Sequence, residues 1–121
     1  MATDDAPSDL LRLLEPNEKS LLHVKQKKHT VINIQSVAIT NRRIIFRKPS
    51  KLRLKKSFTD YSYADIQNVK ISKGLLRSKL TVNLRLDGSD FSIDNIANDK
   101  AEEAFKLIRQ GIDNTRSRSS V

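Results

Sequence analysis

Hydrophobic residues change their period along this chain, and that change constrains the fold more than any other feature. Leu80, Val82, Leu84 and Leu86 alternate with Thr81, Asn83 and Arg85, the pattern of a strand with one buried and one wet face. Further on, Ala101, Ala104, Phe105, Ile108 and Ile112 fall on a single helical stripe. Before the switch, apart from a leucine cluster near the N-terminus, the hydrophobic residues come in short runs. With 121 residues to place, that order predicts one domain: many short strands, then one amphipathic helix.

Punctuation residues divide the runs. Residues 1–7 form an expected unstructured leader. Ser8 is expected to cap a short helix carrying Leu10, Leu11, Leu13 and Leu14, stopped by Pro16. A first strand is expected around Leu21 to Val24, a second from Val31 to Ile39 and a third at Ile44 to Phe46. Thr40-Asn41-Arg42-Arg43 is the expected tight turn between the last two, with Asn tolerating the left-handed conformation. Residues 47–56 read as a basic connection, because Pro49 argues against a central strand. Phe58 to Tyr63 and Ile66 to Ile71 supply strands four and five, ended by Gly74. The alternating run is the sixth, and Asp87-Gly88 turns the chain into a seventh bearing Phe91 and Ile93. Asp99 with Glu102 resembles a capping box for the helix, whose end is expected near Gly111 and Asn114. The domain is thus expected over 8–113, with an unstructured polar tail at 114–121. A seven-stranded sandwich or barrel has an open end, which a helix with one apolar face can plug.

Several of these segments resemble a known family. Ser36-Val37-Ala38-Ile39-Thr40-Asn41-Arg42-Arg43-Ile44-Ile45-Phe46 is similar to the second-to-third strand hairpin of prokaryotic pleckstrin-homology-like domains. Leu14-Glu15-Pro16-Asn17-Glu18 resembles the lead-in to their first strand. Tyr63-Ala64-Asp65-Ile66-Gln67-Asn68-Val69 and the turn Lys73-Gly74-Leu75-Leu76 look like later segments of the same domains. The resemblance spans roughly Leu10 to Ile112. It implies a mainly β fold, a seven-stranded, strongly bent sandwich capped by a C-terminal helix. In the wider superfold it also implies that the first-to-second and third-to-fourth loops often bind phosphoinositides or other anionic groups, that many members bind proteins instead, and that some prokaryotic relatives assemble into rings.

Charge points to the same loops. From Lys19 to Thr59 the chain holds twelve lysines and arginines and no acidic residue, within a net charge of +9. Lys25, Lys27 and Lys28 fall in the first loop, and Arg47, Lys48, Lys51, Arg53, Lys55 and Lys56 in the second. In a meander those two loops emerge at one end, so these nine residues are the expected anion- and lipid-binding rim. Lys25-x-Lys27-Lys28 resembles the start of the family's phosphoinositide site, but Asn33 and Gln35 are uncharged where that pattern continues with basic residues. By the same parity Arg42 and Arg43 sit at the opposite end, where a structural ion pair is expected, with Asp60 and Asp65 as partners. Tyr61 and Tyr63 are expected in the core or at an interface rather than stacked on bases.

Other classes find less support. No hydrophobic run approaches the ~20 residues of a membrane span. With no cysteine and only His23 and His29, the chain offers no metal set and no disulfide, and no cofactor is expected. Gly74, Gly88 and Gly111 stand apart, so there is no glycine-rich phosphate loop, and no catalytic motif occurs. The expectation is a non-catalytic cytoplasmic binding module, docking on an anionic membrane surface or an acidic protein. A self-assembling interaction module stands second and nonspecific nucleic-acid binding third.

Overall fold

A computed structural model describes residues 6–27, 34–49 and 56–119. The elements are α1 (Ser8–Leu11), β1 (Ser20–Lys25), β2 (Ser36–Thr40), β3 (Arg43–Pro49), β4 (Lys56–Ser62), a 3-10 turn (Tyr63–Asp65), β5 (Ile66–Lys73), β6 (Arg77–Leu84), β7 (Asp90–Ala97) and α2 (Asn98–Ser119). Antiparallel pairing gives a four-stranded sheet, β1-β2-β3-β4, and a three-stranded sheet, β5-β6-β7. The expected mainly β sandwich with a C-terminal helix and a short N-terminal helix is present.

The inward faces of both sheets and the stripe of α2 form one core. Val37, Ile39 and Ile44 meet Val69, Leu80, Val82 and Ile93, and Ala101, Ala104, Ile108 and Ile112 close the remaining side. Small side chains in the first turns let the helix backbone approach closely. Phe105, expected to plug the end beside Ile108, is only half-buried, with the Arg109 guanidinium carbon 6.0 Å from its ring centre. It packs against the edge of the core, while Ile108 and Ile112 are fully buried within it.

A second, smaller cluster explains why β2 is buried at all five positions. Leu10 of α1 packs with Ala38 and Ile45 on the outer face of the four-stranded sheet, flanked by Leu14 and Phe58. Leu11 and Leu13 stay exposed. Ser8 does not cap this helix. The capping position belongs to Pro7, whose φ of −62° suits helix entry.

Several boundaries differ from expectation; β2, expected from Val31, begins at Ser36 among the described residues. β3 runs on through Arg47 and Lys48 to Pro49. Its pairing with β2 ends at Ser36–Arg47, so the proline disturbs no ladder on that side and pairs only with Lys56. The connection is therefore residues 50–55. The alternating run stops at Leu84, leaving Leu86 93 % exposed, and residues 85–89 make the turn with Gly88 at φ +69°. Asp99 lies inside the first turn of α2 rather than at its cap, and Glu102 pairs with Lys73 of β5 instead of closing a capping box.

The largest departure is at the C-terminus. The chain at Asn114–Ser119 is helical, not an unstructured tail, and Gly111 does not end α2. Gly111 is a notch: a Cβ there would lie 2.6 Å from the Tyr63 ring. Beyond it, Arg116 Nη2 donates to the Gln67 carbonyl at 2.8 Å and ties the last turns to β5. Packing thus carries the helix past a residue that local propensity treats as a stop.

Candidate anion-docking rim

Strand register brings the ends of β1 to β4 together. Lys25 pairs with Ser36, Ser36 with Arg47, Lys48 with Ser57, and Pro49 with Lys56. Chain segments 26–35 and 50–55 therefore leave the sheet at one end, as meander parity predicts. Lys25, Lys27 and Lys48 are exposed there, and among the described residues none of them forms an ion pair. Lys28, Lys51, Arg53, Lys55 and the side chain of Lys56 lie outside the described residues.

Arg47 behaves differently from its neighbours. Its Nε and Nη2 donate to Asp9 Oδ2 at 3.3 and 3.2 Å, and both side chains are largely covered. It fastens α1 to β3, a role its place in the basic run did not reveal. Lys48 instead extends over the Phe91 ring, Nζ 6.0 Å from the centre, a cation–π contact across the two sheets.

β7 runs past this end and contributes what the linear sequence hid. Gln26, buried in the middle of the basic run, donates through Nε2 to Asp94 Oδ1 at 2.7 Å and accepts from the Gln35 N–H at 3.0 Å. The Lys27 N–H donates to the Asn95 carbonyl at 2.6 Å, and Asn95 takes a φ of 57° to present it. The acid-free stretch thus has a carboxylate at its base, occupied by an uncharged amide. Gln26 was missed in the sequence, where the only signal was an uncharged polar residue among lysines.

The opposite end of the sheet is built around a buried carboxylate. The Glu18 side chain is fully covered and accepts from Arg43 Nε (2.8 Å) and Nη2 (2.9 Å), Thr40 Oγ1 (2.7 Å) and the Glu15 N–H (2.9 Å). Burial opposes its ionisation, yet these donors, Arg43 foremost, outweigh that and hold its pKa at about 2. Arg43 Nη1 reaches Asp60 at 2.9 Å, and Arg42 pairs with Glu15 at 2.7 Å. Asp65, the other expected partner, accepts from Ser62 Oγ instead.

The turn between them does not use a left-handed Asn41. Thr40 Oγ1 accepts from the Arg42 and Arg43 N–H groups, each at 3.0 Å, while Asn41 Oδ1 accepts the Lys19 N–H at 2.8 Å. The lead-in Glu15–Glu18 and the turn Thr40–Arg43 are therefore one cluster in space. Tyr63 belongs to the same cluster. Its hydroxyl donates to the Thr40 carbonyl at 2.6 Å, and burial, then nearby Glu18, push its pKa well above the usual range. Tyr61 meets Phe91 edge-on at 5.2 Å. Both rings are core or near-core, as expected. Between this hairpin and α2 lies an open cleft of about 460 Å³ lined by Asn41, Arg42, Tyr63, Gly111, Asn114 and Thr115.

Among the described residues no His, Cys, Asp and Glu side chains converge as a metal set, and no helix is long and apolar enough to cross a membrane.

A bent two-sheet sandwich closed by a C-terminal helix is the pleckstrin-homology architecture. The profile of the bacterial PH domain family matches residues 14–110, and the chain belongs to that family. It is 28 % identical over 108 residues to an uncharacterised protein of Archaeoglobus fulgidus, covering 89 % of this chain and 56 % of that one. It is 32 % identical over 102 residues to Protein CARMIL of Dictyostelium discoideum, covering 80 % of this chain and 9 % of that one. The chain thus spans about half of the archaeal relative and a small part of the other. Crystal structures of pleckstrin-homology domain proteins from Shewanella loihica and Shewanella amazonensis share the fold. Their TM-scores are 0.64 and 0.67, at 15 % and 16 % identity. Coverage is 86 % of this chain and 90 % of the first, and 87 % and 83 % for the second.

Proposed function

We propose that this chain is a non-catalytic binding module that docks on an anionic membrane surface through the loop end of its four-stranded sheet. The carrying observation is that Lys25, Lys27 and Lys48 stand exposed where β1 and β3 end and, among the described residues, form no ion pair. Membership of a family whose fold serves binding supports the module reading. A basic side chain near an anionic bilayer contributes about 1 kcal/mol, so Lys25, Lys27, Lys28, Lys48, Lys51, Arg53, Lys55 and Lys56 together give salt-sensitive attachment. Arg47 is left out of this set because Asp9 already holds it.

Co-sedimentation with phosphatidylserine-containing vesicles tests the proposal. Lys25→Glu with Lys27→Glu, and separately Lys51→Glu with Arg53→Glu, should each weaken binding by several kcal/mol at about 1 kcal/mol per charge. Lys19→Glu with Lys106→Glu, matched in charge but away from the rim, should do little. Equal losses in all three would reduce the effect to net charge. If wild-type protein stayed in solution, the rim would have to serve an acidic protein partner instead.

A further inference from the structure

Between Asp65 and Asp87 the chain holds no acidic residue, and this second acid-free stretch carries Lys70, Lys73, Arg77, Lys79 and Arg85. It is the β5–β6 hairpin. At its tip Leu75 is 94 % and Leu76 71 % exposed. A lone exposed leucine is ordinary, but two in succession at the tip of a turn, flanked by cations, are not. The turn is built: the Gly74 N–H donates to the Arg77 carbonyl at 2.8 Å, and Asn98 Nδ2 holds the Gly74 and Leu75 carbonyls at 3.3 and 3.5 Å. With the Gly74 and Leu75 carbonyls held from the α2 side and the Leu76 carbonyl accepting from Arg77 Nη1, the two leucines project into solvent. Arg77 and Lys79 are exposed on the β6 arm beside them, Lys70 is exposed further down β5, and Lys73 engages the nearby Glu102.

The tip lies beside the rim. The Lys27 N–H meets Asn95, and Asn98, whose side chain holds the tip, is three residues further along, so at most ~11 Å of backbone separates the two contacts. We infer that Leu75 and Leu76 insert into the interfacial layer of an anionic bilayer while the flanking cations and the rim contact its head groups. This rests on the membrane-docking reading and adds an apolar component to it. Charge complementarity selects the occupant, because an apolar tip flanked on the β6 arm by the cations Arg77 and Lys79 fits a surface that is anionic outside and apolar beneath.

The chain has no tryptophan, so Leu75→Trp in the full chain is a single fluorescent reporter. With vesicles of phosphatidylserine and phosphatidylcholine its emission should shift to the blue and be quenched by brominated acyl chains, with no change on phosphatidylcholine alone. Leu75→Ala with Leu76→Ala should weaken binding by roughly tenfold, and should leave a weaker attachment that salt abolishes. If wild type bound but the reporter stayed unshifted and the alanine pair bound equally well, docking would be electrostatic only and the insertion would fall. If wild type did not bind at all, both readings would fall together. A blue shift that grew with protein concentration in the absence of vesicles would assign the leucines to self-association and overturn insertion.

Discussion

At the hairpin end of the four-stranded sheet, Arg42 and Arg43 meet Glu15, Glu18 and Asp60, and every one of these contacts is an ion pair. At the loop end, Lys25, Lys27 and Lys48 belong to the same basic stretch yet form no ion pair among the described residues. The difference lies in what the fold brings to each end. The lead-in to β1 and strand β4 deliver carboxylates to the hairpin, whereas the carboxylate that β7 delivers to the loop end, Asp94, is taken by Gln26. Cations at the hairpin end therefore hold the fold; at the loop end Arg47 does so too, through Asp9, while Lys25, Lys27 and Lys48 carry no ion pair among the described residues.

The sharpest way to break this comparison is Arg43→Leu, which strands a buried carboxylate. It should cost about 3–5 kcal/mol in denaturant melts. A loss below about 1 kcal/mol would mean that the hairpin end is no more structural than the loop end.

Acid tests the same cluster from the other partner. Glu18 titrates at about 2 in the fold against an ordinary 4.5, so the folded state binds that proton more weakly than the unfolded chain. Its contribution, about 3 kcal/mol, is fully present above pH 4.5 and is lost as pH falls toward 2. Glu18→Gln should flatten the stability profile in that window. An unchanged profile would remove Glu18 from the argument.

Gly111→Ala sharpens the picture where α2 meets the hairpin end. A Cβ against the Tyr63 ring should cost about 1–3 kcal/mol by overpacking, although alanine is the better helix former. Stabilisation would show that the ring moves aside freely. The smallest effect belongs to the loop end: Lys25→Glu with Lys27→Glu should change stability by no more than about 0.5 kcal/mol. A larger loss would give these lysines a structural role and weaken the docking proposal.

Much of this was legible in the chain. Alternation at Leu80–Leu84 and the stripe at Ala101–Ile112 identified a strand and the helix because burial on one face imposes a period. Leu86 and Phe105 misled, since a period does not say where a strand stops or how deep a stripe goes. Glu18 was visible only as part of a familiar segment. Nothing local marks it as buried, because its partners Thr40 and Arg43 lie more than twenty residues away.

The succession of short strands and one helix, most core positions of both, and the two basic segments that parity sends to one end could be read from the chain alone. Those follow from local pattern and chain connectivity. Tertiary structure alone decided which cations are spent on the fold: Arg43 on Glu18, Arg47 on Asp9, Lys73 on Glu102. It also carried α2 past Gly111 and set the Leu75–Leu76 tip beside the rim. An ion pair or a packing notch depends on distances between residues far apart in sequence, and only the closed sandwich sets those distances.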